Sequence, residues 1–180
     1  MLDVRWYGRG GQGAFTAAKL LGQTASVYGD NYALASPSFG PERRGAPVWS
    51  FTKIDKNKIT DRSQPVRCNY LVVLDESLIT PTIENYLHDD GVIILNTAKP
   101  EKYKFIRRKL ITLDATRMSL EILGRPITNV AMLGAFVGVS GVIGIPAAEK
   151  ALQQTFSGSI CEKNRLLLSK ACGAVKGGAK

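Results

Sequence analysis

DVRWYGRGGQGAFTAAKLLGQTASVYGD, residues 3–30, is the stretch on which the reading of the fold turns. Asp3–Tyr7 is a short apolar run of strand type. Residues Gly8, Arg9, Gly10, Gly11, Gln12 and Gly13 then match the G-x-G-x-x-G spacing of a phosphate-binding turn. From about Gly13 to Tyr28, Phe15, Ala18, Leu21, Ala25 and the neighbouring Leu20 recur at three- and four-residue steps, which predicts an amphipathic helix. Gly29-Asp30 closes it, and Tyr32–Ala35 follows as a second strand.

Strand, glycine turn and helix together open many dinucleotide-binding domains. Such a domain also needs an acid at the end of its second strand, about 20 residues on, for the ribose hydroxyls. Here that strand ends in Leu34-Ala35-Ser36, and Asp30, the only acid between Gly13 and Glu42, precedes it. The nicotinamide reading therefore fails, while an anion-binding or docking loop at Gly8–Gly13 stays open beside plain helix–sheet packing. Arg9 and Gln12 are unexpected in a phosphate cradle, which is built from backbone N–H groups. They suit contacts to a carboxylate, a phosphate or a partner chain.

Strand and helix signals alternate further along. Val48–Ile54 and Lys58–Thr60 flank Asp55-Lys56-Asn57 and read as a hairpin, which makes the sheet mixed. Tyr70–Leu74, Val92–Leu95 and Leu110–Leu113 are continuous apolar runs suited to buried strands. A helix is expected through Pro81–Leu87 and another through Met118–Leu123, then helices over about 128–140, 147–156 and 160–175, with a fraying tail from Lys176. The expectation is an α/β fold: a three-layer α/β/α arrangement on a mixed, mostly parallel sheet, with a helical C-terminal third and one domain over 1–180.

Composition narrows the function. Apolar residues are 44% and charged residues 22% of the chain, as in ordinary globular proteins. The start carries an acid, arginines and early glycines and reads as no signal peptide. The longest apolar stretch, Ala131–Ala148, holds four glycines and is shorter than the roughly 20 residues a membrane span needs, so it reads as core. Cys68, Cys161 and Cys172 are widely spaced and His88 is the only histidine, which speaks against a metal or cluster held by this chain alone. Reduced thiols in the cytoplasm are expected.

The net charge of +9 sits wholly in the second half: residues 1–90 carry 10 basic and 10 acidic side chains, residues 91–180 carry 14 and 5. Its densest part is Lys99, Lys102, Lys104, Arg107, Arg108 and Lys109, with Glu101 among them. Such a patch suits an anionic partner or a solvated loop, and no nucleic-acid-binding signature accompanies it. Beyond the strand ends, Asp75-Glu76-Ser77, Asn96-Thr97 and Asp114-Ala115-Thr116 are placed to line a crevice with Gly8–Gly13. Asp75 and Glu76 are adjacent carboxylates, but Asp75, Ser77, Asp114 and Thr116 are good helix caps, and capping is the stronger reading. His88 falls in LHDDG, a surface turn by its composition, so no catalytic set is drawn.

The second unusual stretch is SPSFGPERRGAPVWSF, 36–51, whose three prolines stiffen a loop that projects Glu42, Arg43 and Arg44 as partner-contact candidates. GRGGQG, a helix with TAAKLL, and PSFGPERRGAP about two dozen residues later together resemble the gamma subunit of pyruvate and related 2-oxoacid:ferredoxin oxidoreductases. VVLDESL (72–78), LNTAK (95–99) and NVAMLGA (129–135) extend the resemblance over about Val4–Phe156. It implies a non-cofactor subunit of a complex that oxidatively decarboxylates a 2-oxoacid, with pyruvate favoured by the ERRGAP form. Thiamine diphosphate with magnesium, and iron–sulfur clusters passing electrons to ferredoxin, are implied in partner chains; the acyl group goes to coenzyme A. This chain has no G-D-G thiamine signature, Gly29-Asp30-Asn31 being nearest. Two alternatives are a stand-alone Rossmann-like nucleotide-binding protein, which would bind nucleotide tightly alone, and a basic nucleic-acid-binding module, whose affinity would fall steeply with salt.

Overall fold

The computed structural model describes residues 1–38 and 44–176, so Glu42, Arg43 and the last four residues of the tail lie outside the described residues. Six strands form one sheet: β1 (Leu2–Arg9), β2 (Tyr32–Pro37), β3 (Pro47–Asp55), β4 (Cys68–Val73), β5 (Leu87–Asn96) and β6 (Lys109–Leu113). Their order is β2-β3-β1-β4-β5-β6. β1, β4, β5 and β6 run parallel, while β3 is antiparallel to both β1 and β2. The expected mixed, mostly parallel α/β sheet is what forms.

Five helices accompany it: α1 (Ala14–Val27), α2 (Ala115–Leu123), α3 (Asn129–Ser140), α4 (Ile145–Thr155) and α5 (Gly158–Lys176). They share a hydrophobic core with the sheet residues Val4, Trp6, Val72 and Ile94, and the last four supply the helical C-terminal third. The opposite face is covered by 3-10 turns and loops: Leu71, Val73, Ile93 and Leu95 pack under Ile83, Leu87, Tyr103 and Ile106. The connection from β1 through α1 to β2 runs one way along the sheet, and those from β4 through β5 to β6 run the other. Right-handed crossovers in opposite directions must lie on opposite faces. The third layer thus consists of short 3-10 turns, Ile83–Tyr86 and Pro100–Tyr103, where the sequence had indicated a helix through Pro81–Leu87.

The hairpin expected at Asp55-Lys56-Asn57 does not form. Both edges of β3 are occupied, by β1 and β2, so Lys58–Thr60 finds no edge to join. Asp55 instead accepts the Asn57 N–H at 2.8 Å, a local turn, and the chain crosses the sheet to β4 without strand structure. Arg5 straps that crossing segment down, donating to the Pro65 carbonyl at 2.6 Å while its guanidinium lies among Trp49, Phe51 and Tyr86. The true hairpin is β2–β3, joined through the ERRGAP loop. His88 lies within β5, because that strand begins five residues earlier than its apolar run indicates.

α3 is buried along Asn129–Val137 and runs against α5. A Cβ on Gly138 would come within 2.6 Å of the Cys172 carbonyl oxygen, so the two helices can approach this closely only without a side chain there. The apolar 131–148 stretch is thus α3 and the start of α4, and no helix among the described residues is long and apolar enough to cross a membrane. Phe15, expected on the buried face of α1, is 42% exposed; Ala14, Ala17, Leu20, Leu21 and Ala25 carry the packing.

Candidate functional site

β1 lies where the direction of the chain along the sheet reverses, and the carboxyl ends of β1 and β4 open there into a crevice. The four loops named from the sequence meet at it. Gln12, Asp75, Glu76, Asn96, Thr97 and Thr116 line one depression of about 770 Å³, joined by Arg117 and Thr128, which the sequence had not marked.

Gly13 stands at the N-terminus of α1 with φ 80°, and a Cβ there would approach the Asn129 amide nitrogen to 2.6 Å. Only glycine satisfies both the left-handed backbone and the close approach of α3. Gly13 thus lets two helix starts pack close together against the sheet.

Arg9 and Gln12 bind the turn to its neighbours. The Arg9 backbone N–H donates to Gln12 Oε1 at 2.7 Å, and Gln12 Nε2 donates to Asp75 Oδ2 at 2.9 Å. The Arg9 guanidinium reaches Asp75 at 3.2 Å, the Ser77 hydroxyl at 2.8 Å and the Gly45 carbonyl at 3.0 Å. Asp75 also accepts the Ser77 N–H at 3.0 Å and its hydroxyl at 2.6 Å, capping the turn Glu76–Leu78. Arg9 and Gln12 both meet a carboxylate, one of the contacts that suited them. It belongs to the chain itself.

The two signature loops also pair through their backbones. Gly10 N–H donates to the Ala46 carbonyl at 2.8 Å, and Gly45 N–H to the Gly10 carbonyl at 3.0 Å. β2 runs parallel to β1, so the loop after it emerges at the same end of the sheet. Arg44 there is exposed. The glycine turn and the segment Gly45-Ala46 thus form one clasp.

The carboxylates are held ionised. Burial pushes Asp75 up, but hydrogen bonds from Ser77 and Gln12 and the Arg9 charge outweigh it and keep the carboxyl below its ordinary value. Glu76 is lowered chiefly by the Thr97 hydroxyl, which donates to it as Tyr103 does at 2.9 Å. Tyr103 is pushed up to about 12, by burial first and then by Glu76. These groups titrate away from neutrality and are held by internal partners, an arrangement that orders the loops. Asp114 caps α2 through the Arg117 N–H at 2.9 Å, whereas Thr116 accepts from the Asn96 amide at 3.0 Å and is no cap.

The basic cluster is partly neutralised by residues distant in sequence. Arg108 pairs with Asp89 at 2.8 Å, and Glu84 accepts the backbone N–H groups of Arg107 and Arg108. Lys99, Lys102, Lys104 and Lys109 remain exposed.

The implied cofactors do not fit these residues. Cys68 is buried beneath the 3-10 layer and pushed up to about 12 by that burial, whereas Cys161 and Cys172 lie on α5 in the core across the sheet. Among the described residues no three His, Cys, Asp or Glu gather as metal ligands. Among the described residues the chemistry of a cluster or of metal-bound thiamine finds no donor set.

Fold and crevice together define an α/β protein whose mixed, mostly parallel sheet opens a crevice where its direction reverses. Residues 3–174 match the model of the pyruvate ferredoxin/flavodoxin oxidoreductase family, and the chain belongs to that family. It is 47% identical over 165 residues to the pyruvate synthase subunit PorC of Methanothermobacter thermautotrophicus, covering 91% of this chain and 90% of that one. To the Pyrococcus furiosus pyruvate/ketoisovalerate oxidoreductases common subunit gamma it is 46% identical over 170 residues, with 91% of each covered. The crystal structure of the pyruvate oxidoreductase subunit PORC of Thermotoga maritima superimposes with a TM-score of 0.83 at 31% identity, covering 96% of this chain and 95% of that one. Neither the nucleotide-binding nor the nucleic-acid alternative finds support in these likenesses.

Proposed function

We propose that this chain, working as one domain over 1–180, is the gamma-type subunit of a cytoplasmic 2-oxoacid:ferredoxin oxidoreductase, with pyruvate as substrate. Partner chains carry thiamine diphosphate, magnesium and the iron–sulfur clusters, and the complex delivers the acyl group to coenzyme A and the electrons to ferredoxin. The carrying observation is 47% identity over 165 residues to a pyruvate synthase subunit, on a chain whose crevice carboxylate Asp75 is internally paired and whose three thiols are buried. The clasped loops Gly8–Gly13 and Arg44–Ala46 then act as a rigid docking surface, with Arg44 as its outward charge. Preformed loops lose little entropy on association. Glu42 and Arg43, which lie outside the described residues, are further proposed partner contacts.

The test is co-purification of the tagged chain with thiamine- and iron-bearing chains, read by pyruvate-dependent reduction of a viologen dye. Activity with pyruvate above other 2-oxoacids supports the reading. A colourless chain that purifies alone from cells making the other subunits refutes it.

A further inference from the structure

The sheet ends in β2, which has β3 on one side and, among the described residues, no strand on the other. The bonding pattern of β2 is fixed by one contact past its end: the Ser38 N–H donates to the Trp49 carbonyl at 2.9 Å. In an antiparallel ladder, alternate opposed pairs exchange both hydrogen bonds. Counting back from Ser38, the exchanging residues are Ser36, Leu34 and Tyr32, opposite Phe51, Lys53 and Asp55. Ala33, Ala35 and Pro37 therefore turn their backbone groups outward: the N–H and carbonyl of each alanine, and the carbonyl of the proline. No other backbone group among the described residues takes them up.

Open edges are normally guarded by charge, by a bulge, by a proline within the strand or by a covering element. YALASP carries no charge, its register with β3 runs unshifted, and its proline is the last residue. Beside it lies an open groove of about 680 Å³ whose floor is Gly22, Ala33 and Ala35, with Phe15 and Lys19 on the α1 side. The small side chains leave room for another backbone at strand spacing. Phe15 and Val27, 42% and 62% exposed, line the same groove.

We propose that the β2 edge receives one extended strand from another subunit of the oxidoreductase, hydrogen-bonded to Ala33 and Ala35, with alternate apolar side chains in the groove beside α1 and an acidic residue meeting Lys19. This rests on the subunit reading above. Main-chain pairing supplies the affinity and the alternating pockets supply the choice of partner. A second copy of this chain is a poor occupant, because pairing β2 with itself brings together two chains of net charge +9 and two Lys19 side chains.

The experiment is residue-resolved hydrogen exchange on the free chain and on the purified complex. In the free chain the amides of Ala33 and Ala35 exchange faster than those of Leu34 and Ser36; on assembly they slow by about tenfold or more. Ala35→Pro removes an outward donor while leaving the β2–β3 bonds intact, and it weakens co-purification by about tenfold or more. Ser36→Lys, which charges the edge, does the same if the proline variant fails to fold. Unchanged exchange at Ala33 and Ala35 in an assembled complex overturns the proposal, as does a homodimer of this chain that alone protects them. Absence of any complex with the wild-type chain is a different result: it removes the subunit reading, and the strand proposal with it.

Discussion

Arg9 and Asp75, 66 residues apart in sequence, meet at 3.2 Å and join the loop after β1 to the loop after β4. The contact sits where the sheet changes direction, the one place where neighbouring strand ends diverge and leave a gap. Gln12 closes it from below at 2.9 Å. Asp75→Asn keeps the shape but gives up the charge that several donors share. A loss of about 1.5–3 kcal/mol is expected, the range for hydrogen bonds to a charged group. Arg9→Ala, at a side chain 36% exposed, is expected to cost less, within about 1 kcal/mol. Urea unfolding of the two variants checks the order, and equal losses would mean that Asp75 acts mainly through Arg9.

The same carboxylate sets an acid limit. Its folded pKa lies below the ordinary value, so its contribution is fully present above the unfolded pKa of about 3.9 and is lost as pH falls through the folded value. Glu76, lowered by Thr97, behaves alike from its own ordinary value of about 4.3. Wild type should therefore lose its margin over Asp75→Asn as pH drops below about 4, the two unfolding curves converging. Curves that stay parallel down to pH 3 would remove Asp75 from the acid response.

Much of this was legible beforehand. The parallel strands announced themselves as runs such as YLVVL because burial on both faces leaves no polar alternation. The four crevice loops followed from where those strands end. Three things were not legible. Lys58–Thr60 has strand-like residues but no free edge to pair with, and edge availability is a property of the whole sheet. The third layer collapsed to 3-10 turns because the connections from β4 to β6 are short. Arg9 suited a carboxylate, but which one was hidden because the partner is distant; Asp75, read as a crevice residue and foremost as a cap, is both cap and anchor.

The cysteines offer a check on the core. Cys68, Cys161 and Cys172 are 0%, 6% and 0% exposed, and burial pushes Cys68 up to about 12. The thiolate is the reactive form, so at pH 8 the folded chain should resist a disulfide reagent that titrates all three thiols in urea. The labelling rate should track unfolding. Rapid labelling of even one thiol in the native chain would show an opening of α5 or of the 3-10 layer.

Two glycines in the C-terminal helices should respond to alanine with opposite signs. At Gly138 on α3 an added Cβ would stand 2.6 Å from the Cys172 carbonyl oxygen and 2.7 Å from Val175 Cγ2, so α5 must be pushed away. Backbone cannot yield as a flexible side chain would, and Gly138→Ala should cost about 1–3 kcal/mol. At Gly173, exposed on α5, a Cβ meets nothing within 4 Å. There only the backbone entropy and helix propensity of glycine are at stake, and Gly173→Ala should gain up to about 1 kcal/mol. Thermal melting of the two single variants and the double variant separates the terms. Gly138 on α3 faces α5 and Gly173 on α5 does not face α3, so the double variant should melt below wild type. A stabilised Gly138→Ala would mean that α3 and α5 stand further apart than the carbonyl contact requires.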